Sequence, residues 1–377
     1  PIGSPKLSEL AKGKENVVII CSDHTRPVPS KHIIPFMLKE IREGNPDAKI
    51  TLLIATGFHR ATTREELVGK FGEEIVDNEC IAIHDSQDMD AMANIGTLPS
   101  GAPLLINKVA ANADLLVSEG FIETHFFAGF SGGRKSILPG VSSKVTVLGN
   151  HCSKFIDSPY SRTGILEGNP IHKDMIAASK MAHQKYIVNV IIDADKKVVH
   201  AVAGDAIEAH AAGCKFLQDY CQVVPKKAAD IAISTNGGYP LDQNIYQAIK
   251  GMTAAEATLP DSGIIIMIAG CRDGHGGVGF YHNIADVKNP EEFEQKAIHT
   301  PRLETVPDQW TSQIFARILA HHKVIMVSDL VDPKLVKDMH MELASNVDEA
   351  LAMAFKIKGN DAKVAVIPDG LGVVVNI

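Results

Sequence analysis

The chain has 377 residues, enough for two domains of ordinary size, and a net charge of −8. The negative charge argues against a broad nucleic-acid-binding surface, so any anion site must be a local basic pocket. With 45% hydrophobic and 22% charged residues, the composition is that of a soluble globular protein, and no apolar run is long enough to span a membrane.

The six cysteines are typical of reduced thiols in a cytoplasmic protein. No two of them are spaced as C-x-x-C, which argues against a zinc ribbon and against a disulfide framework. The chain opens on a linker-like run at residues 1–5 and has no initial methionine. We therefore expect that an upstream segment of the protein is missing from this sequence.

Short apolar runs rich in β-branched residues alternate with amphipathic stretches along the chain. The apolar runs predict buried strands at residues 17–22, 49–55, 81–84, 114–118, 186–192, 197–202, 230–234, 263–269, 323–327 and 363–367. Helices are predicted at residues 30–42, 63–71, 205–220, 243–250, 291–299, 311–321, 333–340 and 347–355. The second of these helices starts at a capping box formed by Thr63 and Glu66.

This alternation predicts an α/β protein with mostly parallel sheets that are covered on both faces. The alternation restarts after residues 223–227, which we interpret as a domain boundary. The predicted N-terminal α/β domain therefore spans residues 1–222 and the C-terminal α/β domain spans residues 223–377. Two such domains commonly hold a ligand in the cleft between them, at the carboxyl ends of their strands.

Polar loops follow the first two predicted strands. The first loop carries Asp23 and Arg26, and Arg26 can bind a carboxylate or phosphate through a bidentate pair of hydrogen bonds. The alternative is a polar turn that caps the next helix. The second loop carries a Thr-Gly turn followed by His59, which can project into the cleft. The alternative for His59 is a structural role, which is the commoner one for a lone histidine.

The segment at residues 123–140 contains His125, several glycines and the pair Arg134 and Lys135, and His151 follows soon after. Glycines let a backbone approach a ligand closely, cations attract anions, and histidines transfer protons or bind metals. The match to a phosphate loop fails, because Arg134 stands where the last glycine belongs. The segment therefore indicates a lysine site for a phosphate-bearing or covalently attached ligand. The alternative is a flexible surface loop.

The predicted helix at residues 243–250 carries Gln247 and Lys250, which are three positions apart and so share a helix face. By spacing alone, an ordinary solvated face is the preferred interpretation of this pair.

Taken together, several runs resemble the lactate racemase family, the nickel-pincer-nucleotide-dependent 2-hydroxyacid racemases and epimerases. The resemblance covers the whole chain and is carried by D-x-T-R-P at 23–27, A-T-G-x-H-R at 55–60, H-F-F-A-G-F-S-G-G-R-K-S at 125–136, G-N-H at 149–151, and G-G-Y-P-x-D-Q with Y-Q-x-x-K at 237–250. It implies two Rossmann-like α/β domains with the active site in the cleft between them.

The resemblance also implies a cofactor. This is a nickel-pincer nucleotide, a pyridinium mononucleotide whose sulfur-bearing arms and ring carbon hold nickel. Lys135 is implied as its tether through a thioamide and His151 as a nickel ligand. Further cofactor contacts are expected from Asp23, Arg134, Ser136 and Tyr246.

The implied activity is that of an isomerase that interconverts D- and L-2-hydroxy acids, with lactate as the default substrate. His59 and His125 are implied as the two acid–base groups, while hydride moves to and from the cofactor. The residues expected to face the substrate are Arg26, Gln247, Lys250 and Trp310.

Two alternatives remain open at this point. The first is the same cofactor and chemistry acting on malate, a sugar acid or another larger hydroxyacid. The second is a non-catalytic protein that binds a phosphorylated or acidic metabolite. The expected partners are a small 2-hydroxyacid and the proteins that make the cofactor, with no nucleic acid and no membrane among them.

Overall fold

The computed structural model describes residues 1–225 and 228–375, so Lys226 and Lys227 of the predicted boundary lie outside the described residues. The chain forms two compact units, each assembled from more than one stretch of sequence. Unit 1 consists of Pro1–Glu123, Phe130–Asn150 and Pro170–Asp219, and unit 2 consists of Thr124–Gly129, His151–Asn169 and Tyr220–Ile377.

The strands, in chain order, are β1 (Asn16–Ser22), β2 (Lys49–Ala55), β3 (Cys80–Ile83), β4 (Met92–Thr97), β5 (Pro103–Asn107), β6 (Leu115–Phe121), β7 (Thr124–His125), β8 (Gly129–Phe130), β9 (Gln184–Ile192), β10 (Val198–Gly204), β11 (Gln222–Val223), β12 (Ile231–Thr235), β13 (Ile264–Ile268), β14 (Lys323–Val327), β15 (Glu342–Ala344), β16 (Val364–Ile367) and β17 (Val374–Val375).

The α-helices, in chain order, are α1 (Leu7–Leu10), α2 (Ser30–Gly44), α3 (Arg64–Phe71), α4 (Glu73–Asn78), α5 (Lys108–Ala111), α6 (Lys144–Asn150), α7 (Ser153–Ile156), α8 (Pro170–Met181), α9 (Glu208–Cys221), α10 (Ile245–Glu256), α11 (Val278–Ala285), α12 (Pro290–Ile298), α13 (Gln309–His321), α14 (Pro333–Asp338) and α15 (Val347–Lys358). Short 3₁₀ turns occur at Met89–Ala91, Gly133–Ser136 and Arg302–Glu304.

Unit 1 is built on a six-stranded sheet in the order β10-β9-β6-β1-β2-β3. All neighbours are parallel except β9 and β10, which form an antiparallel pair. Strand β1 is buried from Val17 to Cys21, as expected for a strand whose two faces are both covered. Helix α2 packs a stripe of buried residues into the same core, spaced three and four apart. The packing fixes the carboxyl ends of β1 and β2 at one edge of the sheet.

Unit 2 is built on a five-stranded sheet in the order β15-β14-β13-β12-β16, in which all neighbours are parallel. Isoleucines of β12, β13 and β14 form its core together with alanines of α15. Helix α10 follows β12 and buries Ala248, Ile249 and Met252. The loop at residues 236–244 joins the carboxyl end of β12, an interior strand, to the first turn of α10.

The structure confirms the predicted α/β class, the parallel sheets and the capping box, in which Thr63 accepts a hydrogen bond from the backbone N–H of Glu66. Some predicted bounds need correction. The strand predicted at 114–118 is β6 and extends to Phe121, the helix predicted at 243–250 continues to Glu256, and the helix predicted at 333–340 ends at Asp338. Helices α8 and α11 and the antiparallel hairpin β4–β5 are among the elements that the sequence analysis did not predict. The division at residues 222 and 223 and the Rossmann-like character of the domains stay predictions.

Within the described residues, none of the helices combines the length and the apolar composition needed to traverse a lipid bilayer.

Candidate active site

The loops after β1 and β2 bring Asp23 and His59 into contact. The two strands are parallel neighbours with Ser22 opposite Ala55, so both loops leave the same edge of the sheet. His59 Nδ1 lies 2.7 Å from Asp23 Oδ2. Asp23 is 1% exposed, whereas the His59 side chain is 40% exposed. A buried carboxylate therefore holds a half-exposed imidazole by one of its nitrogens.

The Asp23 carboxyl is kept ionised by its neighbours. Burial alone raises its pKa, but the hydrogen bond and charge of His59, a hydrogen bond from Thr25 and the charge of Arg26 outweigh burial and lower the pKa below its ordinary value. The Thr25 hydroxyl donates to Asp23 Oδ1 over 2.7 Å. Because an ionised carboxylate only accepts hydrogen bonds, Nδ1 of His59 carries the proton. When the ring is neutral, its Nε2 has a lone pair and can act as a base.

Arg26 belongs to the same loop, and its backbone N–H donates to Asp23 O over 3.2 Å. Its side chain is exposed, and its carbonyl accepts a hydrogen bond from Lys70 Nζ over 3.1 Å. Three of the residues predicted for the site, Asp23, Arg26 and His59, are thus held by adjoining loops of unit 1. The predicted roles of these residues in catalysis and binding stay predictions.

Lys135 lies in the 3₁₀ turn Gly133–Ser136, whose backbone is fixed from several sides. Gly133 has a φ of +51°, and a Cβ atom there would lie 2.6 Å from the ring of His210. The Gly133 N–H donates to Asn189 Oδ1 over 2.8 Å, and the Ser136 hydroxyl donates to Gly133 O over 2.8 Å. The half-buried Lys135 side chain therefore starts from a well-defined backbone.

Arg134 is used inside unit 1. Its side chain is fully buried, and its Nε donates to His172 Nδ1 over 3.1 Å. Nη1 lies 3.0 Å from His210 Nε2 and donates to the carbonyls of Ser131 and Gly132, each over 3.3 Å. The guanidinium thus binds the backbone of its own loop. A direct contact of Arg134 with a cofactor stays a prediction.

The environment of Arg134 determines the charge of this cluster. Burial lowers the pKa of Arg134 to about 10, so the guanidinium remains charged at neutral pH. Burial, followed by the charge of Arg134, lowers the pKa of His172 to about 3 and also lowers the pKa of His210 well below its ordinary value. Both imidazoles are therefore neutral at pH 7, which allows His172 Nδ1 to accept a hydrogen bond from the cation.

In unit 2, backbone groups contact the imidazole of His125. The N–H groups of Phe127 and Ala128 donate to its Nδ1 over 3.5 and 3.3 Å. The ring of Phe127 packs edge-on against the imidazole, with centroids 4.5 Å apart. The Asn169 side chain donates to Phe127 O over 2.9 Å and so fixes the same segment. These contacts fix the position and orientation of the imidazole ring.

His151 is buried between two aromatic rings of unit 2. Phe127 and Trp310 contact it edge-on, with centroid distances of 5.1 and 5.2 Å. His151 is 5% exposed and Trp310, on α13, is 9% exposed. The structure thus brings together two of the predicted site residues, His151 and Trp310. Within the described residues, no group of three or more His, Cys, Asp or Glu side chains is arranged to hold a metal ion.

The first turns of α10 carry Tyr246, Gln247 and Lys250, which are all half-buried. The Asn244 side chain caps this helix by accepting the backbone N–H of Gln247 over 3.0 Å. Tyr246 donates its hydroxyl proton to Asp308 Oδ1 over 3.2 Å. Burial, with the charge of Asp308, raises the pKa of Tyr246, so the phenol stays protonated. The helix therefore presents a phenol, an amide and an amine in its first six residues.

Sequence reasoning missed four side chains that shape these segments: His172, His210, Asn189 and Asp308. Each is isolated in sequence from the residue that it contacts. The sequence contains one signal for such residues, which is a polar residue within an apolar run, as at Asn189 in the middle of β9.

Comparisons with known proteins agree with one family. The family model described as the lactate racemase N-terminal domain matches residues 1–164, and the model described as the lactate racemase C-terminal domain matches residues 224–375. The lactate racemase of Lactiplantibacillus plantarum is 63% identical over 375 residues, which cover 100% of this chain and 88% of that protein. The lactate racemase of Thermoanaerobacterium thermosaccharolyticum is 56% identical over 375 residues, with the same coverage of 100% and 88%.

Solved structures give the same result. The structure of the lactate racemase apoprotein from Thermoanaerobacterium thermosaccharolyticum superposes with a TM-score of 0.98 at 56% identity, covering 100% of this chain and 90% of that chain. A Thermotoga maritima protein with a TM-score of 0.69 and 17% identity, covering 98% of this chain and 96% of its own, shares the fold alone. By its match to both family models and its identity to these relatives, the chain belongs to the lactate racemase family.

Proposed function

We propose that the chain is an isomerase that interconverts D- and L-lactate. The observation that carries this proposal is the 2.7 Å contact between the ionised Asp23 and Nδ1 of His59, in a chain 63% identical to a lactate racemase. The contact leaves Nε2 of His59 as a base. A base of this kind is what removal of a hydroxyl proton from a 2-hydroxyacid requires.

The substrate is held in the cleft between two Rossmann-like domains, at residues 1–222 and 223–377. Arg26 and Lys250 bind its carboxylate, since two cations hold a carboxylate in a defined orientation. Gln247 binds a polar oxygen of the substrate, and Trp310 covers the small methyl group. His59 and His125 act on opposite faces of the reacting carbon.

The family uses a nickel-dependent cofactor, and the residues of this chain fit such a group. His151 is a single buried imidazole between two aromatic rings, and no cluster of three metal-binding side chains occurs among the described residues. One imidazole is suited to a metal whose other donors belong to an organic ligand. Lys135, on its fixed turn, offers an amine for a covalent tether. Asp23, Arg134, Ser136 and Tyr246 complete the proposed cofactor contacts.

The reaction then follows from the side chains. His59 takes the hydroxyl proton of one enantiomer through Nε2, and Asp23 stabilises the imidazolium that forms. The bound nickel-pincer nucleotide supplies a hydride acceptor beside the substrate. Arg26 and Lys250 keep hold of the carboxylate while the planar ketoacid turns. His125 in its imidazolium form gives a proton to the oxygen at the other face as hydride returns to the carbon, which leaves His125 neutral, and the reverse reaction exchanges the two roles.

The test is lactate racemisation by protein matured together with cofactor-synthesis proteins, which are its proposed partners in the cytoplasm. We expect each pure enantiomer to become a mixture of both. The Lys135→Ala variant should lose both activity and the mass increment of the intact chain, whereas His59→Ala should keep the increment and lose activity at least about 10²-fold. A wild-type chain that carries nickel and the increment but leaves either enantiomer unchanged would contradict the proposal.

A further inference from the structure

Unit 1 contains a cavity of about 420 Å³ beside the loop that carries Asp23 and Arg26. Its walls come from the residues after β1, the start of α2, helix α3 and the tight turn between β9 and β10. Cavities of this volume are within the range that holds small molecules. None of the roles proposed above uses α3 or the β9–β10 turn.

The lining of the cavity is strongly basic. Five side chains that can carry positive charge line it, namely His24, Arg26, Lys31, Lys70 and Lys196, against a single carboxylate, Glu66. That carboxylate already accepts two hydrogen bonds from Arg60, over 2.8 and 2.5 Å. These hydrogen bonds lower the pKa of Glu66 to about 2. On a chain with a net charge of −8, such a local excess of cations is unexpected for an ordinary surface.

Lys70 is the most informative of these groups. Its Nζ donates to Arg26 O, and burial lowers its pKa below the ordinary value even though the charges of Glu119 and Asp23 act in the opposite direction. An ammonium has three protons to donate, of which this contact uses one. Across residues 1–225 and 228–375, no carboxylate lies within 4.0 Å of the ammonium groups of Lys70, Lys31 or Lys196. A partly buried cation of this kind is stabilised by an anion next to it.

We propose that this cavity is a second anion site, which binds a small oxyanion with two or more negative charges. Five cations far exceed the single charge of a monocarboxylate, and lysines act as separate point charges that suit a multiply charged ligand. Phosphate esters and polycarboxylates share this chemistry. Because Arg26 also lines the cavity, an anion there weakens binding of a hydroxyacid, a consequence that rests on the proposed role of Arg26.

Binding is tested by calorimetric titration of the full chain, at constant ionic strength, with inorganic phosphate and with citrate, and with chloride and lactate as references. We expect at least one of the two multivalent anions to bind, and the tighter one identifies the source, phosphate ester or polycarboxylate. The Lys70→Met and Lys196→Glu variants should each weaken that binding about tenfold. Equal binding of chloride, or no binding of either multivalent anion at millimolar concentration, would overturn the proposal.

Two further variants test whether binding depends on this cavity or only on the overall charge of the protein. Lys12→Glu changes the charge as Lys196→Glu does, but Lys12 precedes β1 and so lies towards the opposite edge of the sheet, and this variant should bind normally. Gly69→Leu fills the cavity without changing charge, and a Cβ atom at Gly69 meets nothing within 4 Å. It should abolish binding. Loss of binding in Lys12→Glu, or normal binding in Gly69→Leu, contradicts the site.

An activity assay is kept separate from the binding assay. In matured protein, the bound anion should raise KM for lactate and leave kcat unchanged, and Gly69→Leu should remove this effect. An anion that binds to a chain without racemase activity would refute the proposed function and leave the site standing. Racemase activity in a chain that binds neither anion would refute the anion site and leave the proposed function standing.

Discussion

Two regions of unit 1 use histidine in opposite ways. At the loops after β1 and β2, a half-exposed imidazole contacts a buried carboxylate, Asp23. At the turn that carries Lys135, the buried His210 and the half-buried His172 contact a buried cation, Arg134. A carboxylate stabilises the protonated imidazole, whereas a cation keeps the imidazole neutral. The first arrangement allows proton transfer, and the second fixes a backbone.

The difference shows that histidine itself is a poor guide to chemistry. The sign of the neighbouring charge and the exposure of the ring decide whether a histidine can exchange a proton near neutral pH. On this basis, changes at the carboxylate should alter catalysis, and changes at the cation cluster should alter the stability of the fold.

The largest expected effect is that of Asp23→Asn. An amide can donate a hydrogen bond to Nδ1, which favours the tautomer with its proton on Nε2 and removes the negative charge that stabilises the imidazolium. We expect kcat for lactate racemisation to fall about 10³-fold. Racemisation is measured from both enantiomers, and a thermal melt shows that the variant is folded at the assay temperature. Activity within tenfold of wild type would show that Asp23 does not support proton transfer by His59.

A smaller effect is expected from acid on the Arg134 cluster. The pKa of His172 is lowered to about 3, so the unfolded chain binds a proton on this residue that the folded chain does not. Its contribution to stability is complete above pH 6.5 and is lost as the pH falls towards 3, at up to about 1.4 kcal/mol per pH unit. His172→Asn keeps an acceptor for Arg134 but cannot titrate, so its free energy of unfolding should fall less steeply in this window.

The check is urea unfolding of both proteins at several pH values between 4 and 7. Racemisation at pH 7 should change far less in His172→Asn than in Asp23→Asn. Identical pH slopes for His172→Asn and the wild type would show that His172 does not titrate as described. A loss of activity as large as that of Asp23→Asn would erase the difference between the two regions.

Much of the fold followed from local sequence. The runs at β2 and β14 are bounded by polar residues, and both were predicted with their observed ends, Lys49–Ala55 and Lys323–Val327. Strand β6 was predicted too short because Glu119, a buried acid within it, interrupts the apolar run. Its Oε1 accepts hydrogen bonds from the N–H and hydroxyl of Ser22, a contact between positions 97 residues apart that no local pattern contains.

The candidate site was predictable in part for the same reason. Parallel pairing of β1 and β2 follows from their apolar runs, and it brings their loops, with Asp23 and His59, to one edge. The interior position of Arg134 was not predictable, because it depends on His172 and His210, which come from helices α8 and α9. In sequence, that arginine resembles a ligand-binding cation as closely as Arg26 does.

In the proposed reaction, His59 and His125 each remove the proton of one enantiomer. The most direct measurement is rapid-quench detection of pyruvate in matured His59→Asn and His125→Asn variants, each mixed with D-lactate or L-lactate. We predict a reciprocal pattern, in which one variant forms bound pyruvate only from one enantiomer and the other variant only from its mirror image. Equal loss, or equal retention, of pyruvate formation from both enantiomers in both variants would show that the two histidines do not have these separate roles.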